Sequence, residues 1–526
     1  MKKHNTPIII ILIGILLRLV YLYFFKDNTM NWDELFPMAF SLSCNSYFDL
    51  VKKLALEDCH PPLFVLISRF FISLGDDRFF LLRTMNVFFS SLNLFFFYQM
   101  MKRYSKNKKI LIMSLVFMSL SPWMLKESIR VFRYTTFLTF VLLSYISFFD
   151  LYHKRNKKNT IFYIISTLLC FYTHYYALFV FLPQFILGLS KRSDRKNYFF
   201  VDILIVVFYL PFLLYSNSSP LNPNFYKTTL KGSIGWLVPV DFSKFFTRML
   251  TNYLVYDLNL FVDLIGILVA VILIYTFIKS DRFIKMVLFL PPVLLTITAF
   301  IFQFIFKQGL VEYNHFVFTI PLFFYSLGVF FCHKKRSLLI PILITIFIFS
   351  ISLHLLNNTG DMFDLFVKDI LAKHADSKTM VYIFPAYYFI NVRYYLSDFP
   401  TKINVIPLDF DLESLKRSFQ NKYYNKRIFF VRNMTGESLH HGKINKLLDY
   451  LRSRKDLLSK TYSNQVSLFF QPYDKIDKKT LDSFSEKGKG RAFFIMSITE
   501  SEKLLTIILC LLSFFSLAFE IIKERD

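Results

Sequence analysis

Apolar runs long enough to cross a bilayer recur through the first two-thirds of this 526-residue chain, and short basic clusters separate them. About 20 apolar residues span the hydrocarbon core as a helix, and only helices or closed barrels satisfy their backbone there. Six clusters set the orientation: Lys102 to Lys109, Lys154 to Lys158, Lys191 to Lys196, Lys279 to Arg282, His333 to Arg336 and Lys523 to Arg525. Taking each as cytoplasmic places spans near 7–25, 79–101, 110–125, 134–151, 160–173, 175–190, 198–215, 259–278, 283–306, 316–332, 338–355 and 503–522. The reading is a polytopic α-helical protein of the cytoplasmic membrane, with about twelve transmembrane helices and both termini cytoplasmic. The net charge of +25 belongs to this loop pattern, so it argues for topology and against nucleic acid as a partner.

Finer features fit the same plan. Residues 7–25 follow Lys2 and Lys3 without a small-residue cleavage site, which reads as an uncleaved anchor rather than a signal peptide. The runs near 160–190 are short, and Pro62 to Leu74 is too short to cross, so the latter is read as a helix at or dipping into the outer interface. Four segments then face outward: 26–78, a short turn over 121–133, 216–258 and 356–502. In the last, strand-like runs (Met380 to Phe384, Arg427 to Val431) alternate with helix-like runs (Leu412 to Phe419, Lys443 to Leu451), which predicts a small extracytoplasmic α/β domain. The domain plan is thus a membrane domain over 1–355 with its first outer loop over 26–78, an outer domain over 356–502 and an anchor over 503–526. Cys170, Cys332 and Cys510 lie in apolar spans as core residues, whereas Cys44 and Cys59 share the first outer loop as either a disulfide or two thiols.

Chemistry-bearing residues gather in the segments read as outer. Asp33 and Glu34 follow the first span, and a carboxylate at a membrane interface can act as a general base or hold a cation. An N-cap on the helix over Leu35 to Leu42 accounts for Asp33 equally well when the pair is taken alone. His60 precedes Pro61-Pro62, where the chain stiffens as it re-enters the membrane. The 121–133 segment adds Lys126, Glu127, Arg130 and Arg133, and Glu312 to His315 opens the span near 316–332. Cations at an outer bilayer surface suit a phosphate group. A single Arg there more often snorkels to lipid, but convergence with carboxylates favours a site.

The order of these elements resembles the GT-C glycosyltransferases: an acidic pair in the first outer loop, a basic residue before Pro-Pro-Leu, a Ser-Pro … Arg-x-aromatic second loop and the Thr173-His174-Tyr175-Tyr176 step. The resembling branch holds protein O-mannosyltransferases and the aminoarabinose transferase of lipid A. The resemblance covers about residues 7–355 and implies transfer of a sugar from a polyprenyl-phosphate donor to a hydroxyl on a glycan, lipid or protein, outside the membrane and with inversion. By position it implies Asp33 as catalytic base with Glu34 beside it, and His60, Arg130, Arg133 and His315 at the lipid phosphate. It implies substrate contacts from Lys126, Glu127, His174 and Tyr175. His315 stands where relatives carry Arg-Tyr, and Glu127 is one residue from the family's acidic position. Some relatives use a divalent cation such as Mg or Mn and others none, so no fixed metal is implied.

Other motifs have simpler explanations. Asp409-Phe410-Asp411 precedes a helix-like run as a cap, His440-His441 lacks further ligands at metal spacing, and 13 glycines offer no phosphate loop. The acceptor sequons Asn217-Ser218-Ser219, Asn357-Asn358-Thr359 and Asn433-Met434-Thr435, on segments read as outer, matter only in a glycosylating host. A transporter or flippase would place charges at mid-membrane depth and show repeat symmetry, neither of which the sequence shows. An O-antigen ligase or polymerase would favour paired arginines in the 216–258 loop, which has only Arg248.

Overall fold

The computed structural model describes residues 5–25, 32–57, 60–216, 262–306 and 313–332, five strands between 379 and 470, and residues 450, 451 and 453. The chain forms two compact units, one of Met1–Asp27, Phe40–Leu355 and Leu504–Asp526, the other of Asn28–Ala39 and Leu356–Lys503.

The first unit is helical. Its elements are α1 (Thr6–Phe25), the end of α2 (Trp32–Leu42), α3 (Tyr47–Glu57), α4 (Leu63–Ile72), α5 (Arg78–Tyr104), α6 (Lys108–Leu120), α7 (Pro122–Ile129), α8 (Arg133–His153), α9 (Lys157–Thr173), α10 (Ala177–Ser190) and α11 (Arg195–Tyr215). There follow α12 (Val262–Lys279), a π turn (Lys285–Phe289) leading into α13 (Leu290–Phe306), and a 3-10 turn (Tyr313–Thr319) leading into α14 (Ile320–Phe331). Five helices among the described residues are long and apolar enough to cross a membrane: α1, α5, α8, α11 and Arg282–Ile305. The protein is a multi-pass membrane protein. The count rises to six if α6 and α7, bent by 51°, form one span, against the roughly twelve read from the sequence. Part of the difference is length, since α9 has 17 residues and α10 has 14; the spans near 338–355 and 503–522 lie outside the described residues.

The 121–133 segment is not the short turn expected: most of it is α7. Ser121 is extended (φ −56°, ψ 122°) and its hydroxyl accepts from the Met124 N–H at 3.4 Å, while Pro122 takes the first helical position, where no N–H is needed. One extended residue followed by a new cap bends the span. In the first outer loop α4 is a ten-residue helix, too short to cross, as read. Asp33 falls within the first turn of α2 instead of capping it.

Helix ends and interfaces explain the packing. Asp77 caps α5 through Phe80 N–H, and Asn156 caps α9 through Asn159 N–H at 2.8 Å. α8 lies at the centre, and hydrogen bonds tie it to its neighbours where lipid offers no hydrophobic drive for association. Thr139 donates to Asn93 at 2.7 Å, and Asn93 donates to the Thr135 carbonyl at 3.0 Å, joining α8 to α5. Ser147 meets Ser166 at 2.6 Å, and Ser144 meets Thr167 and Gln184, joining α8 to α9 and α10. At the far end of α8, Arg103 grips Asp150 with two bonds of 2.8 and 2.9 Å. Gly328 allows α14 to approach α6 closely: an added Cβ would lie 2.8 Å from the Ile110 carbonyl oxygen and collide with Ser114. Inside α1, fully buried Arg18 donates to Ser90 at 2.6 Å and to the Gly14 carbonyl at 2.8 Å.

The second unit carries a five-stranded sheet of order β2-β1-β3-β5-β4, from β1 (Thr379–Phe384), β2 (Asn404–Pro407), β3 (Lys426–Arg432), β4 (Leu458–Tyr462) and β5 (Val466–Phe470). β1 runs parallel to both β2 and β3, with Val381 opposite Val405 and Ile428. The β4–β5 pair is antiparallel and extends the sheet from β3. The runs at Met380 to Phe384 and Arg427 to Val431 are thus strands; most of the helix-like runs, including all of Leu412 to Phe419, lie outside the described residues.

Candidate functional site

Within the helical unit, three connections bring chemistry-bearing residues to one end of the bundle. The first is the entry to α4, where His60 is followed by buried Pro61 and Pro62. Two successive prolines restrict the backbone before the helix begins. The second is the link from α7 to α8: Arg130 ends α7 in extended conformation (φ −81°, ψ 122°), and α8 starts only three residues later. The third is the break between α9 and α10, where His174 is extended (φ −157°, ψ 139°) and Tyr176 precedes the new helix.

Rings join these three. The His60 and His174 imidazoles meet edge to face, with centroids 5.9 Å apart. His174 stacks on Tyr176 at 4.7 Å and faces Phe137 at 5.2 Å and Tyr134 at 6.0 Å. Tyr134 in turn stacks on Phe132 at 5.5 Å, nearly parallel, and the Arg130 guanidinium lies over the Phe132 ring at 4.3 Å. An aromatic wall therefore links two imidazoles to one guanidinium. The nitrogen Nδ1 of His174 faces the Tyr176 N–H at 3.3 Å, so it accepts and the ring proton sits on Nε2.

Helix dipoles point the same way. The residues capping α4, α8 and α10 are Pro62, Phe132 and Tyr176, and none provides a side-chain cap bond. The first backbone N–H groups of a helix have no intrahelical acceptor, and together with the dipole they attract anions. Three such ends, a guanidinium and two imidazoles make this end of the bundle suited to an anion.

Beneath Arg130 lies a buried polar base. Glu127 is 2% exposed and its Oε1 accepts from Arg130 at 3.4 Å, while the Glu127 carbonyl accepts from Thr135 at 3.1 Å. The Asn86 amide donates to the Arg130 carbonyl, fixing the extended link between α7 and α8. Asn86 Oδ1 and Glu127 Oε2 are buried without a hydrogen-bond partner among the described residues.

The structure thus assembles His60, His174, Arg130 and Glu127. Lys126 and Arg133 are half-buried on α7 and at the first residue of α8. The ring stacked on His174 belongs to Tyr176; Tyr175 is half-buried and its carbonyl accepts from Leu178. His315 lies in the 3-10 turn that packs on α8. Asp33 and Glu34 belong to the second unit, in the first turn of α2, and Glu34 is buried. Sequence reading missed Asn86 and Tyr134, because each sits inside a run read only as apolar. Among the described residues no three His, Cys, Asp or Glu are arranged to hold a metal. Cys59, Asp409, Asp411, His440, His441 and the sequons fall outside the described residues.

The fold has known counterparts. Crystal structures of ArnT from Cupriavidus metallidurans, in the apo state and bound to undecaprenyl phosphate, each match with a TM-score of 0.55 at 10% identity. They cover 86% and 90% of this chain and 96% and 99% of their own. AglB, an archaeal oligosaccharyltransferase from Archaeoglobus fulgidus, aligns more loosely, with a TM-score of 0.47 at 13% identity over 90% of this chain and 74% of its own. No family model and no curated protein sequence matches the chain.

Proposed function

We propose that this chain, which has the GT-C fold of the ArnT structures, is a membrane glycosyltransferase that moves a sugar from a polyprenyl-phosphate donor to a hydroxyl acceptor. The observation that carries the reading is the anion-suited end of the bundle, where the His60, His174 and Arg130 side chains meet three helix N-termini. A lipid-linked phosphate needs an apolar surround for its tail and fixed positive potential for its head, and both features stand on the same helices.

In this reading Asp33 removes the proton from the acceptor hydroxyl, whose oxygen attacks the anomeric carbon of the donor. The bond from that carbon to the phosphate oxygen breaks with an oxocarbenium-like transition state, and the lipid phosphate leaves with the added negative charge. Arg130, His60 and the Nε2–H of His174 stabilise that charge where it develops, with Arg133 and His315 alongside. A single displacement inverts the sugar. Glu34 is proposed to support Asp33 as the neighbouring carboxylate, Lys126, Glu127 and Tyr175 to contact substrate, and the site to face the extracytoplasmic side.

The test is donor identification and binding together. Lipid mass spectrometry of a deletion strain should show an accumulated polyprenyl-phosphate sugar, and the purified full chain should bind undecaprenyl phosphate more weakly once His60 and Arg130 are replaced by Ala. Undiminished binding by the doubly substituted chain would sink the phosphate assignment. No accumulated lipid-linked sugar would favour a transporter.

A further inference from the structure

The end of the bundle opposite His60 and Arg130 carries a second organised charge cluster. α8 separates the two, since it starts at Arg133 and runs 21 residues to His153, about 30 Å of helix, which is one membrane thickness.

Two connections meet at this end, residues 154–156 between α8 and α9 and residues 191–194 between α10 and α11. Asp194 staples them together, 3.1 Å from Lys191 and 3.5 Å from Arg155. Its carboxyl is held below the usual carboxylate range, first by the Lys191 hydrogen bond. Lys191 also donates to the Tyr152 carbonyl at 2.8 Å and lies 5.2 Å over the Tyr152 ring. Asn159 donates to the carbonyls of Asp150 and Lys154 at 3.1 and 2.6 Å, fixing the first connection.

Besides Arg155, six exposed cations stand on this frame: Lys154, Lys157, Lys158, Arg192, Arg195 and Lys196. The nearby carboxylates are already engaged, Asp150 by Arg103 and Asp194 by Lys191. Moreover, Lys157 and Lys158 occupy the first turn of α9, and Arg195 and Lys196 the first turn of α11. Helix dipoles favour acids at these positions and oppose cations. Arg195 also donates to the Leu189 carbonyl in the last turn of α10, but Lys157, Lys158 and Lys196 break the local preference three times on one stapled surface, which signals a purpose beyond folding. Retention of loops on one side of the membrane requires only positive charge; it does not require that the charges be held together on two helix N-termini.

We propose that this surface docks the headgroups of anionic phospholipids in the adjoining leaflet. Phosphate oxygens supply negative charge to exposed cations that outnumber the carboxylates on this surface, and the surface lies at the end of helices of crossing length, at headgroup height.

The full chain, purified in a neutral detergent, should retain dioleoylphosphatidylglycerol over dioleoylphosphatidylcholine by about tenfold or more in native mass spectrometry, as a few cations each contributing a severalfold preference would give. Lys157→Gln/Lys158→Gln/Arg192→Gln/Lys196→Gln should bring the two lipids to near-equal retention. The same variant should keep or raise its melting midpoint in neutral detergent, because repulsion at the helix ends is relieved. Equal retention of the two lipids by the unsubstituted chain, or a persisting preference in the variant, overturns the proposal. So does a fall in the variant's midpoint, which would make the cations ordinary stabilisers. Inorganic phosphate raising the midpoint as much as the anionic lipid would assign the surface to a soluble anion instead.

Discussion

Arg130 joins the aromatic wall to the buried base, so its removal should be felt in stability as well as in binding. The Glu127 carboxylate is 3% exposed and 3.4 Å from the guanidinium. Two unit charges at that distance attract by about 5 kcal/mol at an effective dielectric near 20, and most of this is offset by taking the charges out of water. Removing one partner of a buried pair leaves the other uncompensated, at a typical cost of 3–5 kcal/mol. Arg130 is 26% exposed, which reduces that to about 2 kcal/mol, and losing the stack on Phe132 adds about 1 kcal/mol. Arg130→Met should therefore destabilise the chain by about 3 kcal/mol. Glu127→Gln in the same chain removes the stranded charge and should restore about half of this. The assay is thermal unfolding of the full chain in detergent for the two single variants and the double. A double variant no more stable than Arg130→Met, or an Arg130→Met chain unfolding with the unsubstituted protein, would refute the account of Arg130 as the counter-charge of Glu127.

Three other outcomes can be checked. Asp33→Asn should abolish sugar transfer while leaving folding and undecaprenyl-phosphate binding intact, and full transfer by this variant would remove Asp33 from the catalytic role. Gly328→Ala should destabilise by roughly 2–3 kcal/mol, since a backbone oxygen of Ile110 cannot swing aside. Gly14→Ala should cost less, because the 2.5 Å contact is with the end of the Leu94 side chain, and the ranking of the two melting midpoints decides. Gln184→Leu deletes a bond to Ser144 between α10 and α8 and should cost only about 0.6 kcal/mol, the mean for such bonds within membranes; a loss of several kcal/mol would show that the α8 polar seam acts as a cooperative network.

Much of the bundle was legible in the sequence. The runs at 7–25, 79–101, 134–151, 198–215 and 283–306 correspond to the five crossing-length helices, and the brevity of Pro62 to Leu74 announced α4. Residues at connections were legible too: His60, His174, Arg130 and Glu127 are polar groups flanking apolar runs, and they meet in one place. Polar groups within runs were not. Asn86 and Arg18 are each outnumbered by apolar neighbours, and only an interhelical partner such as the Arg130 carbonyl or Ser90 gives them meaning.

The sequence by itself determined which segments are apolar enough to enter a membrane and where the chain must stay charged. That cost is local, summed over some 20 neighbouring residues whatever lies beside them. Only the tertiary structure decided that the span after Lys108 bends at Ser121, and that imidazoles 114 positions apart come within 5.9 Å. Those outcomes depend on which helix faces pack together. Packing is set by short-range contacts and directional hydrogen bonds between residues distant in the chain, and no window along the sequence contains both partners.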